Sequence, residues 1–244
     1  MNAEIAARIA DHVPASLAAY RDSVAPGPGG PTAVPMRALR DEAVFDATLA
    51  AFAAGHGPAD RRAIVSYWSQ YYFALVATPA LTALMRLGEP LPLAFDETVL
   101  ELDSSGKPSR LLVCPGGTEC QAGLAGLIDG HLRPFVTLCQ ARCGIAPRVL
   151  WGNAATIFDY VAGKLRQGDS SEVDRPPCDE VATCLGWRGG AGCARTPLAQ
   201  ALCPDASGCR RRRACCLRHR LPGVPSCGAL CPLERPIERC PAPC

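Results

Sequence analysis

Aromatic side chains are scarce, at 6% of 244 residues, and only Trp187 lies beyond residue 178. The last quarter of the chain therefore has no stacking platform for single-stranded nucleic acid. It also lacks zinc-finger spacing and a recognition helix, which argues against reading its arginine run as a nucleic-acid interface. The first 22 residues, MNAEIAARIADHVPASLAAYRD, have no basic start, no continuous apolar stretch and no small-residue cleavage site. They predict an amphipathic helix ending near Tyr20 rather than a secretory leader. No C-x-x-C-H occurs, so covalent c-type haem is not indicated. The glycines of APGPGGPTAVP (25–35) have no preceding strand and no following phosphate-binding helix, so this stretch reads as a loop without a nucleotide role. No internal repeat is present.

The longest uncharged run is AIVSYWSQYYFALVATPALTALM, residues 63–85. Its length would span a bilayer. It nevertheless carries Ser66, Gln70, Thr78, Thr82, three tyrosines and Pro79. The expectation is a buried core helix that breaks at Pro79, followed by a second short helix. Loose attachment to the inner face of the cytoplasmic membrane stays compatible with this run; a transmembrane segment is not expected.

Cysteine, by contrast, is frequent for a chain of this length. Fifteen are present, eleven of them from Cys178 onward, and the total is odd. Charge is split in the same way. The formal net charge of +2 divides into −3 over residues 1–177 and +5 over residues 178–244, where ten Arg, no Lys and five acids occur. Without a leader, clustered cysteines in a reducing compartment point to metal ligation rather than to a disulfide scaffold. Five of the eleven, Cys178, Cys184, Cys193, Cys203 and Cys209, have no spacing assignable to a second cluster.

Periodicity places helices over 36–55 (MRALRDEAVFDATLAAFAAG), 61–87, 119–129, 133–143 and 148–167. Between them, ETVLELD and SRLLV flank SSGKP and predict a β-hairpin with Gly106 in the turn. RQGDSSEVDRPP (166–177) reads as a polar linker. The fold class expected is α+β: mostly α-helical with a small antiparallel β-hairpin, plus an irregular Cys-rich tail. The division expected is 1–177 for the helical domain and 178–244 for the Cys- and Arg-rich segment. The tail has little apolar surface to bury and would need a staple.

CCLRHRLPGVPSCGALC, residues 215–231, supplies four thiols within 17 positions. Zinc favours paired C-x2-C ligands around one tetrahedral ion, and adjacent cysteines chelate one ion poorly. A [2Fe–2S] cluster spreads four thiolates over two irons, so neighbouring positions are more easily used. Rieske ligation needs two His, and the tail offers only His219, which favours an all-Cys site. A structural zinc module used for protein interaction is the alternative, and a Cys-rich tail of free thiols is the bland one. Trp68, Tyr71, Tyr72 and Trp151 read as core aromatics, with a substrate wall as the lesser alternative. Asn153 reads either as a polar contact or as a satisfied helix-interior amide.

A vicinal pair, a ten-residue gap and a closing pair resemble the C-terminal signature of the FhuF-like ferric siderophore reductases, C-C-x10-C-x2-C. Cys215, Cys216 and Cys227 match; Cys231 follows as C-x3-C, one residue longer. RRRACCLRHRL and CGALCPLE are similar to the approach and closing segments. RRAIVSYWSQYYFALVATPAL and HLRPFVTLCQARCGIAPRVLWGNAATIFDY resemble the family's helical segments, so the likeness runs from about residue 45 to 234.

The resemblance implies a cytoplasmic oxidoreductase. Its [2Fe–2S] cluster would be held by Cys215, Cys216, Cys227 and Cys231, with Cys240 and Cys244 as competitors for the fourth place. Its substrate would be Fe(III) held by a siderophore, often a hydroxamate, released as Fe(II). Its partner would be a reductant of ferredoxin-like or flavin type. Arg210, Arg211, Arg212 and Arg213 are the candidates for docking donor or substrate and for tuning the cluster, against the plainer reading of a solvated basic loop. The likeness to siderophore synthetases is set aside, because their large ATP-binding portion has no counterpart in these residues.

Overall fold

The uncharged run is the axis of the molecule. In the computed structural model, which describes residues 3–113, 123–167, 176–187, 196–204 and 208–233, helix α3 (Arg61–Thr82) is buried along most of its length. Asp60 caps it, its carboxylate accepting from the Arg62 amide at 2.9 Å. The predicted break at Pro79 does not occur; the helix runs through it. Proline in a helix interior ordinarily costs about 3 kcal/mol. Here every residue from 75 to 83 is buried, so packing on all sides holds the segment helical. The irregularity appears one turn later, as a π-helical turn over Ala83–Leu87 that Gly88 closes at φ 71°. Among the described residues no helix is long and apolar enough to cross a membrane.

Around this axis pack α1 (Ala3–His12), α2 (Glu42–Ala54), α5 (Arg133–Cys143) and α6 (Pro147–Arg166), with α6 lying along α3. The N-terminal helix is shorter than expected. It stops at His12, and after Pro14 a 3-10 turn, Ala15–Tyr20, takes over. The expected helix over 36–55 likewise divides, because Asp41 adopts an extended backbone and caps α2 with its side chain, accepting from the Val44 amide at 3.1 Å. Helix α4 (Gly123–Leu127) passes into a π-helical turn, Ile128–Leu132, ahead of α5. The part of the expected helix over 119–122 lies outside the described residues.

The hairpin forms as predicted, from β3 (Thr98–Leu102) and β4 (Pro108–Val113). It is the centre of a larger sheet. The stretch read as a loop supplies two three-residue strands, β1 (Val24–Pro26) and β2 (Ala33–Pro35), in the order β1-β4-β3-β2. β2 pairs antiparallel to β3, and β1 parallel to β4. Two glycines are required by space. Gly29, at φ 92°, brings its backbone so close that a Cβ would stand 2.3 Å from the Ala33 Cβ. Gly106, at φ 76°, turns against α2, where a Cβ would stand 2.7 Å from the Phe52 amide, and its carbonyl accepts from the Trp68 indole at 2.9 Å.

Beyond the linker, α7 (Pro176–Cys184), α8 (Pro197–Ala201) and the strand pair β5 (Leu202–Pro204) and β6 (Arg210–Arg212) lie against the helical body. Val181, Leu185, Leu198, Leu202 and Leu221 join the same core as α3 and α6. The fold class is α+β, mostly helical with small strands, as expected.

Candidate functional site

The Cys pair reaches its position through one strained residue. Leu217, at φ 60°, is the only non-glycine residue with positive φ among those described. This left-handed turn disfavours residues with a Cβ. It bends the chain directly after the pair, so that the Leu217 amide donates to the Cys215 sulfur at 3.3 Å. The following 3-10 turn, Arg218–Arg220, is docked on α3. Arg218 donates to Gln70 at 2.6 Å and lies over the Tyr67 ring, and Arg220 pairs with Asp60 at 2.6 Å. Arg62 and Arg220 hold the Asp60 carboxyl well below the usual carboxylate range.

The Cys216 backbone is tied from the other side. Its carbonyl accepts from the buried Ser66 hydroxyl at 2.7 Å. Asn153 of α6 donates to the Ser66 carbonyl at 2.9 Å and approaches the hydroxyls of Ser66 and Ser69 at 3.0 and 3.2 Å. Asn153 is thus the helix-interior amide of the two readings, fully buried in α6 and tied to α3, and through Ser66 to the cysteine loop. Nothing in its local sequence marks Ser66 for this role.

The closing pair sits on a short 3-10 turn, Gly228–Leu230, with Gly228 at φ 56°. The Cys231 amide donates back to the Gly228 carbonyl at 2.8 Å. Arg211 clamps this turn, donating to the carbonyls of Ala229 at 2.9 Å and Cys231 at 2.6 Å. The sulfurs of Cys216 and Cys227 stand 3.6 Å apart. Cys215 lies in the electrostatic reach of Cys216 and Cys231, and so does Cys227. Of the four thiols expected as ligands, Cys216 and Cys227 are in contact, and Cys215 and Cys231 lie within electrostatic range of them. They are a neighbourhood rather than a finished shell: among the described residues no group of three or more His, Cys, Asp or Glu stands in metal-binding arrangement. Cys240 and Cys244 lie outside the described residues, as do Cys114, Cys120 and Cys193. Cys203, on β5, is disulfide-bonded.

Burial pushes the Cys227 thiol up to about 12 and raises that of Cys215, with the neighbouring cysteines adding to both shifts. Arg212 opposes the rise at each of them. That arginine is 3% exposed, its stem lies against Gly152 of α6, and its Nε and Nη1 have no hydrogen-bond partner among the described residues. A buried cation without a partner is costly unless an anion compensates it. Four thiolates around iron would carry the opposite charge. The donor set and the orphaned guanidinium thus fit an anionic iron–sulfur cluster. The other arginines of the run are engaged differently. Arg210 pairs with Asp159 and donates to the Leu185 carbonyl at 2.5 Å, and Arg213 donates to the Leu202 carbonyl at 3.3 Å.

Beside Cys227 opens a cavity of about 510 Å³, bounded by Tyr20, Gln70, Thr78, Tyr160, Arg212 and Arg218 among others. Trp68 and Tyr72 are core, as expected: both are buried and stacked on each other at 5.8 Å. Tyr20 and Tyr160, neither singled out from sequence, are the aromatic walls instead.

No curated protein matches the chain. Residues 66–185 match the model of a family described as "Ferric iron reductase FhuF-like transporter". The matched stretch takes in most of α3, the hairpin, α5, α6 and α7, and ends before the four cysteines. It contains Ser66, Gln70 and Asn153, the residues that seat the cysteine loop and part of the cavity. Over residues 66–185 the chain carries a domain of the FhuF-like ferric iron reductase family.

Proposed function

We propose that this protein is a one-electron ferric siderophore reductase whose [2Fe–2S] cluster is held by Cys215, Cys216, Cys227 and Cys231. The observation that carries the reading is the contact of Cys216 with Cys227, with Cys215 and Cys231 in electrostatic range, beside Arg212, whose buried Nε and Nη1 have no partner among the described residues. The family match supports the ferric reductase part. A cluster of this type supplies single electrons. The chain's own residues do the remaining work. Ser66 and Asn153 fix the Cys216 backbone, Arg211 fixes the Cys227–Cys231 turn, and Arg212 offsets negative charge in a desolvated place.

The substrate logic follows from ligand hardness. Siderophore oxygens, hydroxamates among them, hold Fe(III) far more tightly than Fe(II). One added electron loosens the iron without destroying the chelator, so no general acid or nucleophile is needed. The reaction belongs in the cytoplasm or at the inner face of its membrane, with a ferredoxin-like or flavin protein as reductant. The basic arginines suit an acidic donor.

Anaerobically purified protein tests the reading. Iron and sulfide are expected at about two each per chain, with a spin-half signal after reduction. Cys231→Ser is expected to lose the cluster, while Cys240→Ser and Cys244→Ser keep it. Stoichiometric zinc without iron after reconstitution overturns the cluster. A native spectrum in Cys231→Ser, with loss in either tail variant, overturns the ligand set.

A further inference from the structure

His219 has no task in the site as described so far, yet the fold holds it in place. It is the middle residue of the 3-10 turn Arg218–Arg220, at an exposed position. Both neighbours are anchored: Arg218 donates to Gln70 and lies over the Tyr67 ring, and Arg220 pairs with Asp60 at the cap of α3. The turn also closes on itself. The Arg220 amide donates to the Leu217 carbonyl at 2.9 Å, and the amide of the buried Leu221 donates to the Arg218 carbonyl at 3.0 Å. With both flanking side chains drawn to α3 and its cap, the backbone of residue 219 is fixed, and Nδ1 of its ring stands 3.4 Å from the Cys215 sulfur. The Leu217 amide reaches that sulfur at 3.3 Å. Among the described residues no nitrogen donor reaches the sulfur of Cys216, Cys227 or Cys231. The donors thus collect on a half-buried thiol, while Cys216 and Cys231 are buried.

We propose that His219 is a tuning residue of this centre: it donates from Nδ1 to the Cys215 thiolate, raises the reduction potential, and stays outside the ligand set. A thiolate has no proton to give, so the ring carries its own proton on Nδ1 to meet it. Hydrogen bonds to the sulfurs are one of the levers on an iron–sulfur potential, because they favour the more negative, reduced form. Acting through Cys215, His219 is a positioning residue rather than a catalytic one. The proposal rests on the iron–sulfur reading given above.

Redox titration of the anaerobic, cluster-loaded protein tests this on wild type, His219→Phe and His219→Asn. Phenylalanine keeps a ring and has no donor; asparagine offers an amide N–H close to where Nδ1 stood. His219→Phe is expected to keep iron and sulfide at wild-type content. At the wild-type midpoint its reduced-to-oxidised ratio is expected to fall about threefold, a drop of about 28 mV for a one-electron couple. His219→Asn is expected to recover most of that drop. Pulsed electron paramagnetic resonance of the reduced protein, carrying isotopically labelled histidine nitrogen, is expected to show a weak coupling that His219→Phe abolishes. An unmoved potential in His219→Phe overturns the proposal. So does a drop in His219→Asn as large as that in His219→Phe, which would assign the effect to packing or solvent access instead of the donor. A strong coupling from a directly bound nitrogen, with cluster loss in His219→Phe, overturns it as well, because His219 is then a ligand. Each of these outcomes leaves a cluster-bearing protein in place. A protein that holds no iron–sulfur cluster after reconstitution overturns both this proposal and the reading beneath it.

Discussion

Four consecutive arginines have four separate tasks, and the strand explains why. β6 sends alternate side chains to opposite faces. Arg210 and Arg212 face α6, one pairing with Asp159 and the other lying along Gly152, while Arg211 faces the Cys227–Cys231 turn. A run of identical residues carries no sign of this in sequence, because the alternation appears only once β6 is known to be a strand. The cysteines were the opposite case. Their spacing and the family resemblance point to a shared centre, and the fold brings two of the four, Cys216 and Cys227, into contact. The arginine roles make distinct predictions. Nearby positive charge favours the more negative, reduced form of a cluster, so removing it lowers the potential. Arg212→Gln is expected to keep the cluster and lower its potential by on the order of tens of millivolts. Arg211→Gln is expected to leave the potential near wild type but speed cluster loss, because the Ala229 and Cys231 carbonyls are released. Redox titration and the rate of iron release to a chelator read the two effects. An unchanged potential in Arg212→Gln, or wild-type retention in Arg211→Gln, removes the corresponding role.

At the scale of elements, legibility follows the range of the forces. Helices α5 and α6 and the hairpin came within a residue or two of their expected ends, because their periodicity and turn residues are local. β1 and β2 were missed for a physical reason. Each is three residues long, lies at an edge of the sheet and ends in proline, which edges tolerate. Their registers exist only against β4 and β3, roughly 60 to 90 positions away. Pro79 failed in the other direction: a strong local rule yielded to burial on every side. If the helix carries that proline against its local preference, restoring an amide there should help. Pro79→Ala is expected to raise stability by about 1–2 kcal/mol, the regained helical hydrogen bond outweighing the smaller side chain. Urea midpoints measure this. A midpoint lower than wild type would mean that the buried ring's packing is worth more than the bond.

Across the whole molecule, the body and the Cys-rich stretch share one hydrophobic core and are joined by polar ties as well. Ser66 to Cys216, Asp60 to Arg220 and Asp159 to Arg210 all cross from α3, its cap or α6 into the later chain. A second fully buried polar link holds the sheet side. His131, in the π-helical turn before α5, donates through Nδ1 to the Leu93 carbonyl at 2.7 Å and accepts at Nε2 from the Tyr72 hydroxyl at 2.5 Å. A carbonyl can only accept, so Nδ1 carries a proton, and in the neutral ring Nε2 is left to accept from Tyr72. Burial lowers the His131 pKa to about 4 and raises that of Tyr72 well above its ordinary value, so neither group is charged near neutrality.

The consequence for stability has a definite sign. Above about pH 6.5 the ring is neutral in both the folded and the unfolded chain, and its contribution is complete. As pH falls below that value the unfolded chain takes up a proton that the folded chain refuses until about pH 4. Stability is therefore lost across that window. Between pH 7 and pH 5 the loss from this residue is expected at about 2 kcal/mol. His131→Gln is less stable than wild type at pH 7, because the fit to Tyr72 and Leu93 is poorer, but it has nothing to titrate. Urea unfolding at both pH values should give a shallower fall for the variant. If wild type and variant fall in parallel, the acid sensitivity of this fold lies elsewhere, and His131 is only a packed ring.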